Sequence, residues 1–467
     1  MKLTAHDLRA LKPLELRNIE LLRGAITGVS TDTRSLQKGD LFVALRGPSF
    51  DGHRFVEDAL AHGACAAVVE ASAALPAPLP LPLVVVGDTT RNLALLARLY
   101  RSKFSIPILA IGGSSGKTTT KDMIVAVLTT RFNVLCTKKN FNNHIGVPKT
   151  IFGLDRKHDI AVVEVGTNHP GELQVLCDML LPTHGLLTNI GAEHLEFFSS
   201  RDGVAREERV LFESLARTGG MAIVNADDRQ VVKAAGRNRH RITYGFSSRS
   251  VGVRGMEVKL DTLGRARFAF CGGRLRKRRS VQMGIPGRHQ ANNALAAAAT
   301  GLTFGGPAGA IVEALESFTA SDKRMEVLEI ERVTVLNDTY NANPDSTIAA
   351  LETLASMKIA GKKVAVLGDM LELGSSEEEE HRRVGQVASA LGIDYVLTYG
   401  TRSRLIHDAM KKGFAAHYEE KNVLAEYLAE LLAPGDAVLL KGSRGMAMED
   451  IVTFLTARLR GSVLQKP

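Results

Sequence analysis

The chain is 467 residues long, enough for about three domains of ordinary size. Hydrophobic residues make up 45 % of it and charged ones 23 %, a balance that supports full cores and excludes a disordered or fibrous protein. The net charge of +9 favours anionic ligands, but with no Trp and 5 % aromatics there is little to stack on bases, so nucleic acid is not the expected partner.

The first stretch, Met1 to Leu8, carries charge where a signal peptide needs an apolar core. No uninterrupted apolar run approaches the roughly 20 residues of a membrane span. Cys65, Cys136, Cys177 and Cys271 are scattered, without the paired spacing of a disulfide framework or a zinc site. A cytoplasmic protein without stable membrane insertion is expected.

Residues 1–88 read as a small first α/β unit. Ser30-Thr-Asp-Thr-Arg34 precedes Lys38 to Leu45, a turn feeding a strand, and a helix is expected from about Phe55 to His62. Ala66 to Val69 and Leu83 to Val86 are strand-like, and the proline-dense Leu75 to Pro82 between them is expected to be a loop. Thr89 to Tyr100 then puts Leu93, Leu96 and Leu99 or Tyr100 on one helical face, a bridge to the next unit.

The second unit, 89–318, is built around a glycine loop. The short apolar run Ile106 to Ile111 reads as a buried strand, Gly112 to Gly116 turns the chain, and an amphipathic helix continues through Met123, Val127 and Leu128. Strand, glycine loop and a helix beginning Lys-Thr is the layout of a phosphate-binding loop. Gly113, Ser114, Ser115, Gly116, Lys117, Thr118 and Thr119 present backbone N–H groups and a positive helix end to an anion. Lys117 reaches the terminal phosphates, and the Thr118 hydroxyl meets Mg²⁺. The position six before the lysine, usually Gly, is Ile111, so this is the shorter Gly-x-x-Gly-Lys-Thr form. The bland alternative is a Gly-rich turn with a surface lysine.

Further apolar strands, Ile160 to Val165, Leu186 to Ile190 and Met221 to Asn225, end in polar residues, the pattern of a parallel sheet with ligands beyond its carboxyl edge. Glu164 is a candidate to hold Mg²⁺, against a solvated strand-end acid; His194 is a candidate second cation ligand, against a structural histidine. Residues 241–285 alternate as an inserted β element, in which basic Arg274 to Arg279 reads as a solvated hairpin rather than a binding patch. An Ala-rich helix opens after Gly287.

The third unit, 319–467, alternates strands with helices again: Val333 to Leu336, Val364 to Leu367, Tyr395 to Thr398 and Ala437 to Leu440 each run into polar residues. Glu377 to Glu380 reads as the acidic first turn of a helix, not a metal site. The expected fold is α/β in three domains: a small N-terminal α/β domain, a central P-loop parallel-sheet ATPase domain with a β insertion, and a C-terminal Rossmann-like domain. The residues alone reach a Mg²⁺-dependent, ATP-using enzyme.

Ser30–Arg34, Gly113–Thr119, Asn140–Pro148, Thr188–Glu196, Lys323-Arg324, Asp338–Pro344, Leu367–Gly374 and Lys441–Arg444, in this order, resemble the motifs of the Mur ligase family along essentially the whole chain. Tyr340-Asn-Ala-Asn-Pro-Asp345 looks like the D-alanyl-D-alanine-adding branch; the His-Thr-Pro-Asp and Asn-Pro-Arg sequences of the diaminopimelate- or lysine-adding branch are missing. The resemblance implies an ADP-forming ligase that joins D-alanyl-D-alanine to UDP-N-acetylmuramoyl-tripeptide through an acyl phosphate, working as a monomer. It implies that Lys117, Thr118, Glu164 and His194 serve ATP and two Mg²⁺ ions, with Asn293 at the adenine, Arg324 at the phosphates and Asp338 at the ribose. Ser30, Thr31 and Arg34 would meet the UDP end, and Asn142, Asn143, Thr167 and Asn168 the muramoyl-peptide. Tyr340, Asn341, Asn343, Lys441, Ser443 and Arg444 would line the dipeptide end.

Two positions depart from the family pattern. Relatives carry a carbamylated lysine where ungapped matching puts Glu208, and the expectation is that this carboxylate takes the carbamate's place beside the second Mg²⁺. Gln290 stands where an Asn is usual, which shifts the adenine contact to Asn293. The alternatives are a sister ligase, a folylpolyglutamate synthetase-like ligase, and a nucleotide-regulated binding module.

Overall fold

A computed structural model describes residues 3–463 except 76–78, 237, 249 and 274. Among these residues the strands form three sheets. The first runs Glu15–Arg17, Leu83–Val86, Ala66–Glu70, Asp40–Val43, Gly28–Ser30, antiparallel only at its first pair. Its inner strands Leu41–Val43, Ala66–Val69 and Leu83–Val86 are continuous apolar runs because both faces are covered. Leu83 and Val85 feed one core and Val84 and Val86 the other, which continues into the central domain.

Helix Thr89–Arg101 joins the two domains as expected. Asp88 caps it by accepting the Arg91 N–H at 2.9 Å, and Leu93, Leu96 and Tyr100 are buried along one face. The Tyr100 hydroxyl donates to the Leu154 carbonyl (2.7 Å), and buried Arg101 donates to the carbonyls of Leu180 and Ile106 (3.1 Å each). The expected helix at 55–62 is Val56–Ala61, preceded by a 3₁₀ turn because Asp51 captures the His53 N–H. Part of the proline-dense loop, 76–78, lies outside the described residues.

The central sheet runs Val134–Cys136, Ile160–Glu164, Ile108–Gly112, His184–Leu187, Met221–Asn225, Arg241–Gly245, Val253–Leu260 in parallel, then Arg265–Gly272 and Leu275–Pro286 antiparallel. The β insertion is therefore the far edge of the same sheet. The loop strand begins at Ile108 rather than Ile106, since Pro107 has no N–H to give a ladder; its carbonyl accepts from Ala161 at 3.0 Å. Lys277, Arg278 and Arg279 are exposed on the edge strand, and Arg274 lies outside the described residues. Phe268, Phe270, Val281 and Met283 point inward with helix His289–Thr303. That helix lies close on the loop helix Lys117–Thr129: a Cβ on Gly301 would stand 2.5 Å from Val127 Cγ1.

The third sheet runs Glu326–Ile330, Val333–Asp338, Ala437–Lys441, Lys363–Gly368, Tyr395–Tyr399, Phe414–Tyr418, antiparallel only at its first pair. Glu377–Glu380 form the first turn of helix Glu377–Ala390. The four cysteines are free, and among the described residues no helix is long and apolar enough to cross a membrane.

Candidate active site

The carboxyl edge of the central sheet faces the third domain across a cleft of about 940 Å³. The glycine loop forms its floor. Gly113 has φ +110°, and a Cβ there would stand 2.4 Å from Thr188 Oγ1, so only glycine fits. The N–H groups of Gly113, Ser114 and Ser115 are held from below, by Glu208 Oε2 (2.9 Å), the Asn189 carbonyl (2.9 Å) and Asn189 Oδ1 (3.0 Å). The amides of Lys117, Thr118 and Thr119 begin the helix with no preceding carbonyl to bond, the arrangement that receives phosphate.

Lys117 Nζ donates to the Gly113 carbonyl and to Glu193 Oε2 (3.2 Å). Burial opposes its charge, but Glu193, Glu208 and Glu164 outweigh burial and hold its pKa above the usual lysine value. Beside it, Thr118 Oγ1 donates to Glu164 Oε2 (2.8 Å) and Asn142 Nδ2 to Glu164 Oε1 (3.0 Å). Among the described residues no group of three or more His, Cys, Asp or Glu converges on one point. A hydroxyl and one carboxylate beside a phosphate loop nonetheless fit Mg²⁺, which takes one or two carboxylates and completes its shell from substrate phosphates and water.

The third domain reaches the loop directly. Asn343 caps helix Pro344–Ser356 by accepting the Ser346 N–H (2.8 Å) and donates through Nδ2 to Ser115 Oγ (3.0 Å). Asp345 accepts from the Ala192 N–H (3.2 Å), Arg201 (3.2 Å) and Arg383 (3.0 Å). A loop for triphosphate and a polar third domain thus share one cleft.

The same three-part organisation appears in known proteins. The chain matches the Mur ligase family catalytic domain over residues 25–100, the Mur ligase middle domain over 111–301 and the Mur ligase glutamate ligase domain over 323–444. It is 34 % identical to the UDP-N-acetylmuramoyl-tripeptide–D-alanyl-D-alanine ligase of Bacillus subtilis, covering 97 % of this chain and 98 % of that one. The chain belongs to the Mur ligase family. The same-named ligase of Escherichia coli is 37 % identical, over 94 % of this chain and 96 % of its own. Among solved structures, MurF from Acinetobacter baumannii superposes with a TM-score of 0.89 at 29 % identity, covering 98 % and 99 % of the two chains. MurF ligase from Thermotoga maritima in complex with ADP gives 0.84 at 27 %, covering 95 % and 99 %.

In this Mur ligase the cleft gathers nearly all the residues singled out in the sequence, from Ser114–Thr119 through Asn142, Asn143, Glu164, Thr167, Asn168, His194 and Asn293 to the third domain. Asn293 Nδ2 donates to Gln290 Oε1 (2.9 Å), so the two act together; His289 beside them is kept neutral by burial, its pKa pushed down to about 4. The Arg324 guanidinium lies 3.8 Å over the Tyr340 ring, which steers it along the wall. Lys441 lines the same cleft, where its Nζ is committed to Asp338 Oδ2 (2.6 Å) and the Asn341 carbonyl (2.9 Å). Ser443 Oγ accepts the Leu371 N–H (2.8 Å), and the Arg444 side chain pairs with Glu449 while its N–H bonds Asn341 Oδ1 (3.2 Å).

Ser30, Thr31, Arg34 and Glu208 do not line this cleft. Ser30 Oγ donates to the Asp32 carbonyl (2.9 Å), and Arg34 pairs with Asp32 (2.7 Å) in the first domain. The expectation for Glu208 is corrected: its carboxyl lies under the loop on the Gly113 amide and does not line the cleft. A glutamate is shorter than a carbamylated lysine and stops at the loop. Burial, then the charge of Glu193, pushes its pKa up to about 8. Reading the sequence missed Asn189 and Glu193, both inside the Thr188–Glu196 motif, and Glu372 and Asp345 in the third-domain motifs.

Proposed function

We propose that this Mur ligase joins D-alanyl-D-alanine to UDP-N-acetylmuramoyl-tripeptide, with ATP and Mg²⁺, releasing ADP and phosphate, in the cytoplasm and as a monomer. Its working units are 1–88 for the UDP end, 89–318 for ATP and 319–467 for the dipeptide. The observation that carries the reading is the direct bond between the phosphate loop and the Tyr340-Asn341-Ala342-Asn343 segment, Asn343 to Ser115. The nucleotide floor and the wall assigned to the dipeptide are thereby one surface.

On this reading the tripeptide carboxylate takes the γ-phosphoryl group of ATP, and the dipeptide amine then displaces phosphate from the acyl phosphate. Lys117 leaves the Gly113 carbonyl and Glu193 to follow the transferring phosphoryl group, and the first-turn amides of its helix hold the flanking oxygens. Thr118 and Glu164 would hold Mg²⁺, which would supply the charge neutralisation that lets carboxylate and triphosphate approach. His194 would help hold a second cation. Ser30, Thr31 and Arg34, on the first domain outside the cleft, would meet the UDP end, and Asn142, Asn143, Thr167 and Asn168, which line the cleft, would meet the muramoyl-peptide.

The test is phosphate release from ATP with UDP-muramoyl-tripeptide, with and without D-alanyl-D-alanine, beside Lys117→Ala. Release that needs both substrates and vanishes in the variant supports the ligase. Release with another amino acid in place of the dipeptide overturns it in favour of a sister ligase.

A further inference from the structure

We propose that Glu372 of the third domain is a positioning residue for His194, so that the second cation position is completed only when the third domain is docked on the loop. This rests on the Mg²⁺ reading above. His194 Nδ1 lies 2.5 Å from Glu372 Oε2, across 178 residues of sequence and the boundary between the central and third sheets. A carboxylate can only accept, so Nδ1 carries a hydrogen, and in the neutral ring that a metal ligand requires Nε2 keeps its lone pair. Nε2 lies 3.9 Å from Glu193 Oε2, too far for a hydrogen bond. Glu193 Oε2 also takes Lys117 Nζ at 3.2 Å; once Lys117 turns to the phosphoryl group, two acceptors face each other across that gap, beside the loop, and form a position for a cation.

The backbone on both sides is fixed to serve this pair. His194 has φ +48° and Glu372 φ +62°, left-handed conformations unusual for residues with side chains. The Glu196 N–H donates to the Glu372 carbonyl at 3.1 Å, and a Cβ on Gly374 would come within 2.8 Å of Glu196 Cα. The two segments therefore dock in one register, which sets the imidazole's direction. Asn343 and Asp345 tether the same domains independently, so removing the Glu372 carboxylate leaves the docking contacts in place while freeing the ring. An outer partner that fixes a ligating imidazole is worth roughly 10- to 100-fold in metal affinity.

The experiment titrates Mn²⁺ into the full-length protein with a non-hydrolysable ATP analogue, reading free Mn²⁺ by electron paramagnetic resonance. Small-angle scattering and thermal unfolding are followed on the same samples. In Glu372→Ala the weaker Mn²⁺ site is expected to lose about 10- to 100-fold in affinity, with the tighter site, radius of gyration and Tm unchanged. Glu372→Gln, which keeps an acceptor oxygen, recovers most of the loss. Unchanged Mn²⁺ binding in Glu372→Ala overturns the inference, as does a loss at both sites with an expanded radius, since Glu372 is then a tether. A wild-type protein that binds no Mn²⁺ with nucleotide overturns the cation reading beneath it instead.

Discussion

Glu208→Gln should make the protein more stable at alkaline pH, an unusual outcome for a buried residue that holds a functional loop. The Glu208 side chain lies on helix Arg201–Thr218, 3 % exposed, with Oε2 on the Gly113 amide. Burial raises its pKa first, Glu193 raises it further, and Lys117 and the Gly113 N–H pull against them; the balance is about 8 against an ordinary 4.5. An acid that binds its proton more tightly in the folded state stabilises the fold while protonated, and stability falls as pH climbs from 4.5 through 8. His184 and His289, both pushed down to about 4 by burial, act in the other direction: stability falls as pH drops below 6.5. The window from pH 6.5 to 8, above these histidines and below the raised thiols of Cys65, Cys136 and Cys177, therefore isolates Glu208. At about 1.4 kcal/mol per pH unit, ionising it should cost about 2 kcal/mol between pH 6.5 and 8. Glutamine keeps an acceptor for Gly113 and cannot ionise, so the variant should lose this slope. The assay is urea unfolding followed by circular dichroism, since the chain has no Trp. Parallel wild-type and variant curves from pH 6.5 to 9 would refute the argument. A variant weaker than wild type at pH 8 would show instead a charged Glu208 paired with Lys117.

Other substitutions probe neighbouring parts of the cleft. Gly113→Ala puts a Cβ 2.4 Å from Thr188 Oγ1 at φ +110°; it should abolish phosphate release and cost roughly 1–3 kcal/mol from backbone strain, read by urea unfolding. Lys441→Met strands the Asp338 carboxylate, whose side chain is 16 % exposed. It should cost about 3–5 kcal/mol, partly restored by adding Asp338→Asn. Asp345→Ala removes the acceptor shared by Ala192, Arg201 and Arg383, and the radius of gyration from small-angle scattering should increase without loss of secondary structure.

Much of this architecture is legible in the sequence because parallel strands buried on both faces read as continuous apolar runs, and their polar ends mark the ligand edge. Met221–Asn225 and Leu83–Val86 fall where the pattern puts them. The loop is legible for a local reason: its amides, lysine and hydroxyl are consecutive, so the chemistry needs no tertiary information. The partners of those groups are not. Glu193 lies 76 residues from Lys117 and Glu208 95 from Gly113, and an acid in a helix reads as solvent-facing until the sheet that covers it is known. The same holds for Lys441: at the end of its strand it reads as a ligand for an anion, and the pairing of its charge with a carboxylate on the adjacent strand is not legible from the sequence.

What the structure adds is a division of labour around one loop. Glu208 and Asn189 hold its first amides from beneath, so the turn keeps its shape without substrate, and the helix amides beyond Gly116 remain for phosphate. A charged carboxylate on the underside would oppose an incoming triphosphate a few ångströms away; burial pushes Glu208 toward its protonated form, which supplies the acceptor with less charge. Glu193 contributes the negative charge instead, from the cleft side, where it holds Lys117 until a phosphoryl group competes for it. Two glutamates near one lysine thus have different tasks, set by burial: the covered one shapes the loop, and the one on the cleft wall holds the lysine in reserve.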